Sequence, residues 1–274
     1  MDATRLTSEA ILRYIPNVMA HVEGERTLAD KLAPFIDSAK VWIESEFLGS
    51  DDFLSEKHND FALKILVTKA FADAVPALDL VVTPSGMAVI RTASMTPASK
   101  ERVERLVSSL HGYVRANIGL LVDICKTYPA WRKSERGRYF CSTFISLFDC
   151  DDFLTTIHGT FDIMRQKCIA IENAMKERYL GKLLDVIRQD YHQGKIMAGC
   201  YLVSSIRSAI SAILKKADGE GLMVFSDDLL WRVCRPIVNE LNYYPEYKTA
   251  WDAEMGDRFN TPGFVNNIKG GFYF

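Results

Sequence analysis

At 274 residues with 48% apolar content, the chain has material for one large domain or two small ones, each with a core. A formal net charge of −2 argues against a globally basic nucleic-acid binder, although a local basic patch fits within it. No apolar run approaches the roughly 18 residues of a membrane helix, and the opening "MDATRLTSEAILRYIP" lacks a signal-peptide layout, so neither a membrane span nor a leader is expected.

"TLADKLAPFIDSAKVWIESEFLG" predicts a helix. Leu28, Leu32, Phe35, Ile36, Ala39, Trp42, Ile43 and Phe47 recur at helical spacing, with Thr27 as N-cap and Gly49 as the stop. Pro34 either kinks this helix or marks where its regular part begins. Trp42, mid-face, is expected to be largely buried. "NDFALKILVTKAFADAVPALDL" predicts a second helix with Phe61, Ile65, Leu66, Phe71, Ala74, Val75 and Leu78 inward, ending near Pro76 or kinked past it. In "LDLVVTPSGMAVIRT", two short apolar runs flank "TPSG", where Pro84 and Gly86 suit a tight turn; this predicts a β-hairpin over 79–91.

The longest helical pattern follows, over 97–128, with Thr96 as cap and Pro97 at the first helical position. Val103, Leu106, Leu110, Val114, Ile118, Leu121 and Cys125 form its stripe. About 45 Å of helix, at 1.5 Å per residue, is enough to bridge two bodies. "KTYPAWRKSERGRY" then sets Lys126, Arg132, Lys133, Arg136 and Arg138 against Glu135, with Pro129 and Gly137 marking a connector. The expected domains are 1–125, a basic connector 126–139, a second lobe 140–258 and a tail 259–274.

The second half answers the first. At an offset of 132 residues "IESEFLG" (43–49) falls on "MKERYLG" (175–181), and the face Phe161, Met164, Cys168, Ile171, Met175 and Tyr179 is helical. At 135 residues Phe61, Ile65, Phe71, Ala74, Val75 and Leu78 fall on Ile196, Cys200, Ile206, Ala209, Ile210 and Ile213, and Gly86 meets Gly221. The pattern reads as a diverged tandem duplication. The expected fold is mainly α: two similar helical lobes joined by a long helix, each with a small β-hairpin or strand. The strand near Met223–Phe225 lacks an obvious local partner. The tail, with Phe259, Phe264, Val265, Ile268, Phe272, Tyr273 and Phe274, is too aromatic for a solvated segment and is expected to dock there, on its own subunit or a neighbour.

No residues advertise catalysis. His21, His58, His111, His158 and His192 are isolated, and no P-loop, G-x-S-x-G, G-x-G-x-x-G or zinc spacing occurs. Cys125, Cys141, Cys150, Cys168, Cys200 and Cys234 form no C-x-x-C pair and read as reduced buried thiols of a cytosolic protein. Asp51–Asp52 and "DCDD" (149–152) read as helix-start caps. The basic stretch reads as a solvated connector or a contact for nucleic acid or an acidic partner. No enzyme, cofactor or metal is expected.

"LAPFIDSAKVWIESEFLG" followed by "ALKILVTKAFADAVPALDL" resembles the helical head–tail connector (adaptor) proteins of tailed bacteriophages. "AFADAVPALDLVVTPSGMAVIRTASMTPASKERVERL" is similar to uncharacterised phage and prophage proteins of Bacteroidetes. The resemblance covers roughly residues 5–110 and reaches the second half only through the repeat. It implies a non-enzymatic virion protein of the neck, assembled in the host cytoplasm as a ring between portal and tail, with arms reaching neighbouring subunits and contact with packaged DNA. Phe264, Ile268, Phe272, Tyr273 and Phe274 would form such an arm. This chain is nearly twice the usual connector length, so one chain would stand for two connector domains. The alternative is a helical binding module or regulator that contacts nucleic acid or an acidic partner through 126–139.

Overall fold

The computed structural model describes residues 8–15, 26–50, 52–78, 80–83, 86–89, 99–150, 160–197, 199–220 and 226–259. It is mainly helical, with eleven α-helices among the described residues. The chain divides into two units, one of residues 1–141 with 146–163, the other of residues 142–145 with 164–274.

The first unit contains α1 (Ser8–Tyr14), α2 (Leu28–Ile43), α3 (Glu56–Leu78), the strands β1 (Leu80–Thr83) and β2 (Gly86–Val89), α4 (Lys100–Cys125), α5 (Pro129–Lys133) and α6 (Glu135–Phe140). Thr27 opens α2 through a capping box: its hydroxyl accepts the Asp30 N–H at 3.2 Å, and the Asp30 carboxylate accepts the Thr27 N–H at 3.3 Å. Leu28, Leu32, Ile36, Ala39 and Ile43 form the buried stripe of α2. α3 packs against both α2 and α4. Burial therefore extends around much of its girth, from Ala62 through Ile65, Leu66, Val67 and Thr68 to Ala70, Phe71, Ala72 and Ala74. The strands pair antiparallel, Leu80 opposite Val89 and Thr83 opposite Gly86.

The long helix and the connector differ from expectation. α4 begins at Lys100 after Ser99, the expected cap Thr96 and Pro97 lying outside the described residues. α4 belongs wholly to the first unit and is no bridge, because Val114, Ile118, Leu121, Val122 and Cys125 are buried in that unit's core; Leu106 is exposed. Residues 126–139 also fold into the first unit as α5 and α6. Pro129 serves as a first helical residue rather than a linker residue. Gly137 lies so close under the Trp131 carbonyl that an added Cβ would sit 1.9 Å from it. The fully buried indole of this unit is Trp131, not Trp42. Trp42 is half-buried, edge-on to Phe47 at 5.0 Å with the Lys69 ammonium 5.3 Å from its ring centroid.

The second unit contains α7 (Thr160–Met175, its first turn counted with the first unit), α8 (Leu183–His192), α9 (Tyr201–Glu220), α10 (Asp227–Glu240) and α11 (Pro245–Phe259). A turn at Gly194 follows α8, so Ile196 and Cys200, matched by the 135-residue offset to the second helix, lie before α9 begins at Tyr201. α9 packs on α10, and α11 packs on α8. The strand expected near Met223–Phe225 and the tail beyond Phe259 lie outside the described residues.

One local structure occurs in both units. α2 runs into a π-helical turn, Glu44–Leu48, and stops at Gly49; α7 runs into a π-helical turn, Lys176–Leu180, and stops at Gly181, with every boundary displaced by 132 residues. Gly49 N–H donates to the Glu44 carbonyl at 2.7 Å, and Gly181 N–H to the Lys176 carbonyl at 2.8 Å. Both glycines have positive φ, 76° and 60°, where a side chain would strain the backbone. Trp131 Nε1 donates to the Phe47 carbonyl at 3.2 Å, and Trp251 Nε1 to the Tyr179 carbonyl at 2.9 Å. Phe140 stacks on Phe47 and Trp131, each at 6.1 Å; Phe259 lies 5.9 Å from Tyr179 and stacks on Trp251 at 5.6 Å.

Burial of the indole and loss of its hydrogen bond both act at Trp131. Trp131→Ala is expected to destabilise the protein by about 3–5 kcal/mol, and half-buried Trp42→Ala by less than about 2 kcal/mol. Urea unfolding of the full chain followed by circular dichroism measures both, and equal losses would refute the assignment of the core indole.

Candidate functional site

The five basic residues of 126–139 do not all point to a ligand. Lys126 is buried, and its Nζ donates to Asp123 Oδ1 at 2.7 Å. Arg132 donates from Nη1 to the Lys126 carbonyl, closing the end of α4. Arg136 lays its stem over Gly49, its Cγ 3.6 Å from where a Cβ would stand. Lys133 and Arg138 are exposed. Lys126 and Arg132 thus spend their charged groups on the fold, and Arg136 its stem.

The acids and histidines serve local structure. Asp52 accepts the Ser50 hydroxyl at 2.9 Å. Asp149 accepts the Ser146 N–H at 2.6 Å in a capping box that closes the short turn Leu147–Asp149. Asp51, Asp151, Asp152, His21 and His158 lie outside the described residues. His58 Nδ1 meets Tyr128 Oη at 2.6 Å, and Tyr128 Oη also accepts the Ser55 N–H at 3.2 Å, fastening the start of α3. Among the described residues no three His, Cys, Asp or Glu side chains are grouped to hold a metal. Burial pushes the Cys125 and Cys234 thiols up to about 12, which makes them poor nucleophiles.

The strongest buried electrostatics lie in the second unit, around residues 142–145. The Glu172 carboxylate accepts the Phe144 N–H at 2.9 Å and the Arg188 Nη1–H at 2.8 Å; Arg188 also reaches Asp185 at 2.7 Å. His192 Nε2 meets the Thr143 carbonyl at 2.7 Å, and Arg165 Nε donates to Ser142 Oγ at 2.9 Å. Phe144 stacks on Tyr191 at 5.9 Å. Sequence reasoning missed this set because its members are scattered. Burial raises the Glu172 carboxyl to about 7 despite the opposing Phe144 N–H and Arg188.

The second unit carries exposed apolar and aromatic side chains. Met197, Tyr201 and Tyr243 are 82%, 78% and 78% exposed, and large amphipathic side chains of this kind are enriched at protein interfaces. A cavity of about 460 Å³ lies against α10, its lining among the described residues being Asp228, Trp231, Arg232, Arg235, Pro236 and Asn239. Their spacing of three and four puts them on one helical face. The Arg232 guanidinium pairs with Asp228 at 2.8 Å. Pro236 has no N–H to give the Arg232 carbonyl.

Residues 12–141, just under half of the chain, match the model of a family of unknown function, DUF6712. The match ends where the main run of the first unit ends, at Cys141. No curated protein and no solved structure matches the chain.

A carboxyl raised from 4.5 to about 7 on folding stabilises the fold fully below pH 4.5 and loses that contribution as the pH rises through 7. Glu172→Gln keeps an acceptor for Phe144 N–H and cannot ionise. Between pH 4.5 and 7.5 the stability of wild type is expected to fall relative to the variant, by on the order of 3 kcal/mol. Urea midpoints across that range test this, and parallel pH profiles would refute it.

Proposed function

We propose that the chain is a structural assembly protein, a head–tail connector of a phage or prophage neck, formed by tandem duplication of one helical lobe and acting as a homo-oligomeric ring between portal and tail. The observation that carries this reading is the repeated π-turn with its tryptophan clamp. Its helix boundaries, glycine stop, indole hydrogen bond and aromatic stack recur in order. The family match over 12–141 takes in one such lobe, and the resemblance over 5–110 lies almost entirely within it. A chain made of two related lobes would offer related surfaces twice, and heterologous contacts between such surfaces form a ring when the rotation from copy to copy closes. Exposed Met197, Tyr201 and Tyr243 supply apolar area for such contacts. Each lobe would carry its small β element, and the assembled ring would sit in the virion neck, beside packaged DNA.

The alternative regulator reading needs a basic face, and the charged groups of Lys126 and Arg132 are engaged elsewhere. Light scattering and electron microscopy of the purified protein decide between the two. Closed rings many times the 31.0 kDa subunit mass are expected, and Tyr201→Glu with Tyr243→Glu should shift them toward smaller species at least tenfold in midpoint concentration. A 31.0 kDa monomer that shifts DNA in a salt-sensitive manner would overturn the proposal.

A further inference from the structure

Residues 142–145 belong to the second unit, although the chain up to 141 and from 146 to 163 belongs to the first. None of them carries a charge. Thr143 and Phe144 are buried, and the Glu172 side chain that meets Phe144 is 1% exposed. Each Glu172 oxygen takes one donor, Phe144 N–H on Oε1 and Arg188 Nη1–H on Oε2. The surrounding charges come from α7, α8 and the π-turn after α7. Arg188 of α8 divides its guanidinium between Glu172 and Asp185. Lys176 gives its ammonium to Asp185 at 2.5 Å, and Arg165 of α7 donates to Ser142 Oγ. His192 of α8 gives its Nε2–H to the Thr143 carbonyl, a bond open both to the neutral ring with its proton on Nε2 and to the imidazolium. Glu172 therefore shares a single guanidinium with a second carboxylate, in a site closed to water.

We propose that residues 142–145 are a proton-sensitive strap, which lies closed over Glu172 while that residue is neutral and opens locally more often once it is ionised. Phe144 N–H needs one acceptor oxygen, and a neutral carboxyl still provides it. The ion gains from opening what the neutral acid does not. Lifting Phe144 away admits water to the carboxylate, and the pair with Arg188, which the strap does not make, persists. Burial raises the Glu172 carboxyl from 4.5 to about 7 in the closed strap, and hydration returns it toward its ordinary value. The closed form thus holds the proton more tightly than the open one. By linkage the strap is firmest below pH 4.5, and its opening grows as the pH rises through 7. The closed strap stays the major form; what changes is how often it opens.

Residue-resolved amide hydrogen exchange of the full chain, corrected for the hydroxide-catalysed chemical rate, tests the proposal. Between pH 5 and pH 8 the opening constant at Phe144 is expected to rise at least tenfold in the wild type, with its steepest change near 7. A local opening exposes little surface, so low urea should leave exchange at Phe144 unchanged while it speeds exchange at Ile206, buried in α9. Glu172→Gln should flatten the pH profile at Phe144. A wild-type profile that is flat after correction would overturn the proposal. So would exchange at Phe144 that follows urea as Ile206 does, because the segment would then open only with the whole fold. A pH dependence that persists in Glu172→Gln would assign the response to another group and overturn it as well. The two wild-type measurements decide the matter even if the variant does not fold.

Discussion

The helix end closed by an indole is the constraint on which the rest of each unit depends. An α-helix leaves its last carbonyls without helical donors, and a buried carbonyl without a partner is costly. Widening the last turn to a π-turn lets the glycine N–H take one of them. The next in need, at Phe47 and Tyr179, faces inward and is met by the N–H of Trp131 or Trp251. The indole brings about 200 Å² of ring surface with it, worth roughly 5 kcal/mol at 25 cal/mol per Å², so hydrogen bonding and burial reinforce each other. The same contact folds the last helices of the unit back onto its first. In the second unit Arg258 of α11 extends the arrangement to the Glu177 carbonyl at 3.5 Å, and the Tyr179 hydroxyl donates to the Asp227 carbonyl at 3.1 Å, fastening the start of α10.

This constraint also governs the basic stretch. A chain that must bring Trp131 under Phe47 cannot leave 126–139 as a solvated link. Arg132 closes the end of α4, and Arg136 covers the glycine that ends the π-turn. In the second unit Glu254 occupies the place over Gly181, and its carboxylate accepts the Lys182 N–H at 2.8 Å. One position is filled by opposite charges in the two units. The role there is to cover the turn, which a long polar side chain of either sign performs; net charge along a sequence stretch is therefore a poor guide to a binding face here.

What the sequence made legible was local. Thr27 and Asp30 announce the start of α2, and the glycines after "FL" and "YL" announce the ends of α2 and its counterpart, because caps and positive φ restrict residue type strongly. The apolar period located α2, α3 and the buried half of α4. Burial of one indole rather than another was not legible. Trp42 sits on a good apolar face yet is half-buried, whereas Trp131 sits among five cations and is fully buried. The partner that decides it, the Phe47 carbonyl, is 84 residues away and carries no side-chain signature. The clamp had a faint signal in "YP" (128–129, 244–245) and in "GRYF" and "GDRF" (137–140, 256–259). An offset fixed at 132 residues could not align these, since they lie 116 and 119 residues apart.

The two units differ in what surrounds the clamp. The clamp occurs in both: Phe47 stacks on Phe140, whereas Tyr179 lies tilted against Phe259. The second unit adds Trp231 to its stack, 5.4 Å from Tyr179 and 5.5 Å from Phe259. It also adds the Glu172–Arg188 pair that holds residues 142–145, and the exposed tyrosines at 201 and 243. A buried ion pair contributes little net stability over an apolar core of the same shape, but it does penalise any arrangement that leaves either charge without its partner. The Glu172 carboxylate therefore selects one course for the chain through 142–145 more than it strengthens the fold.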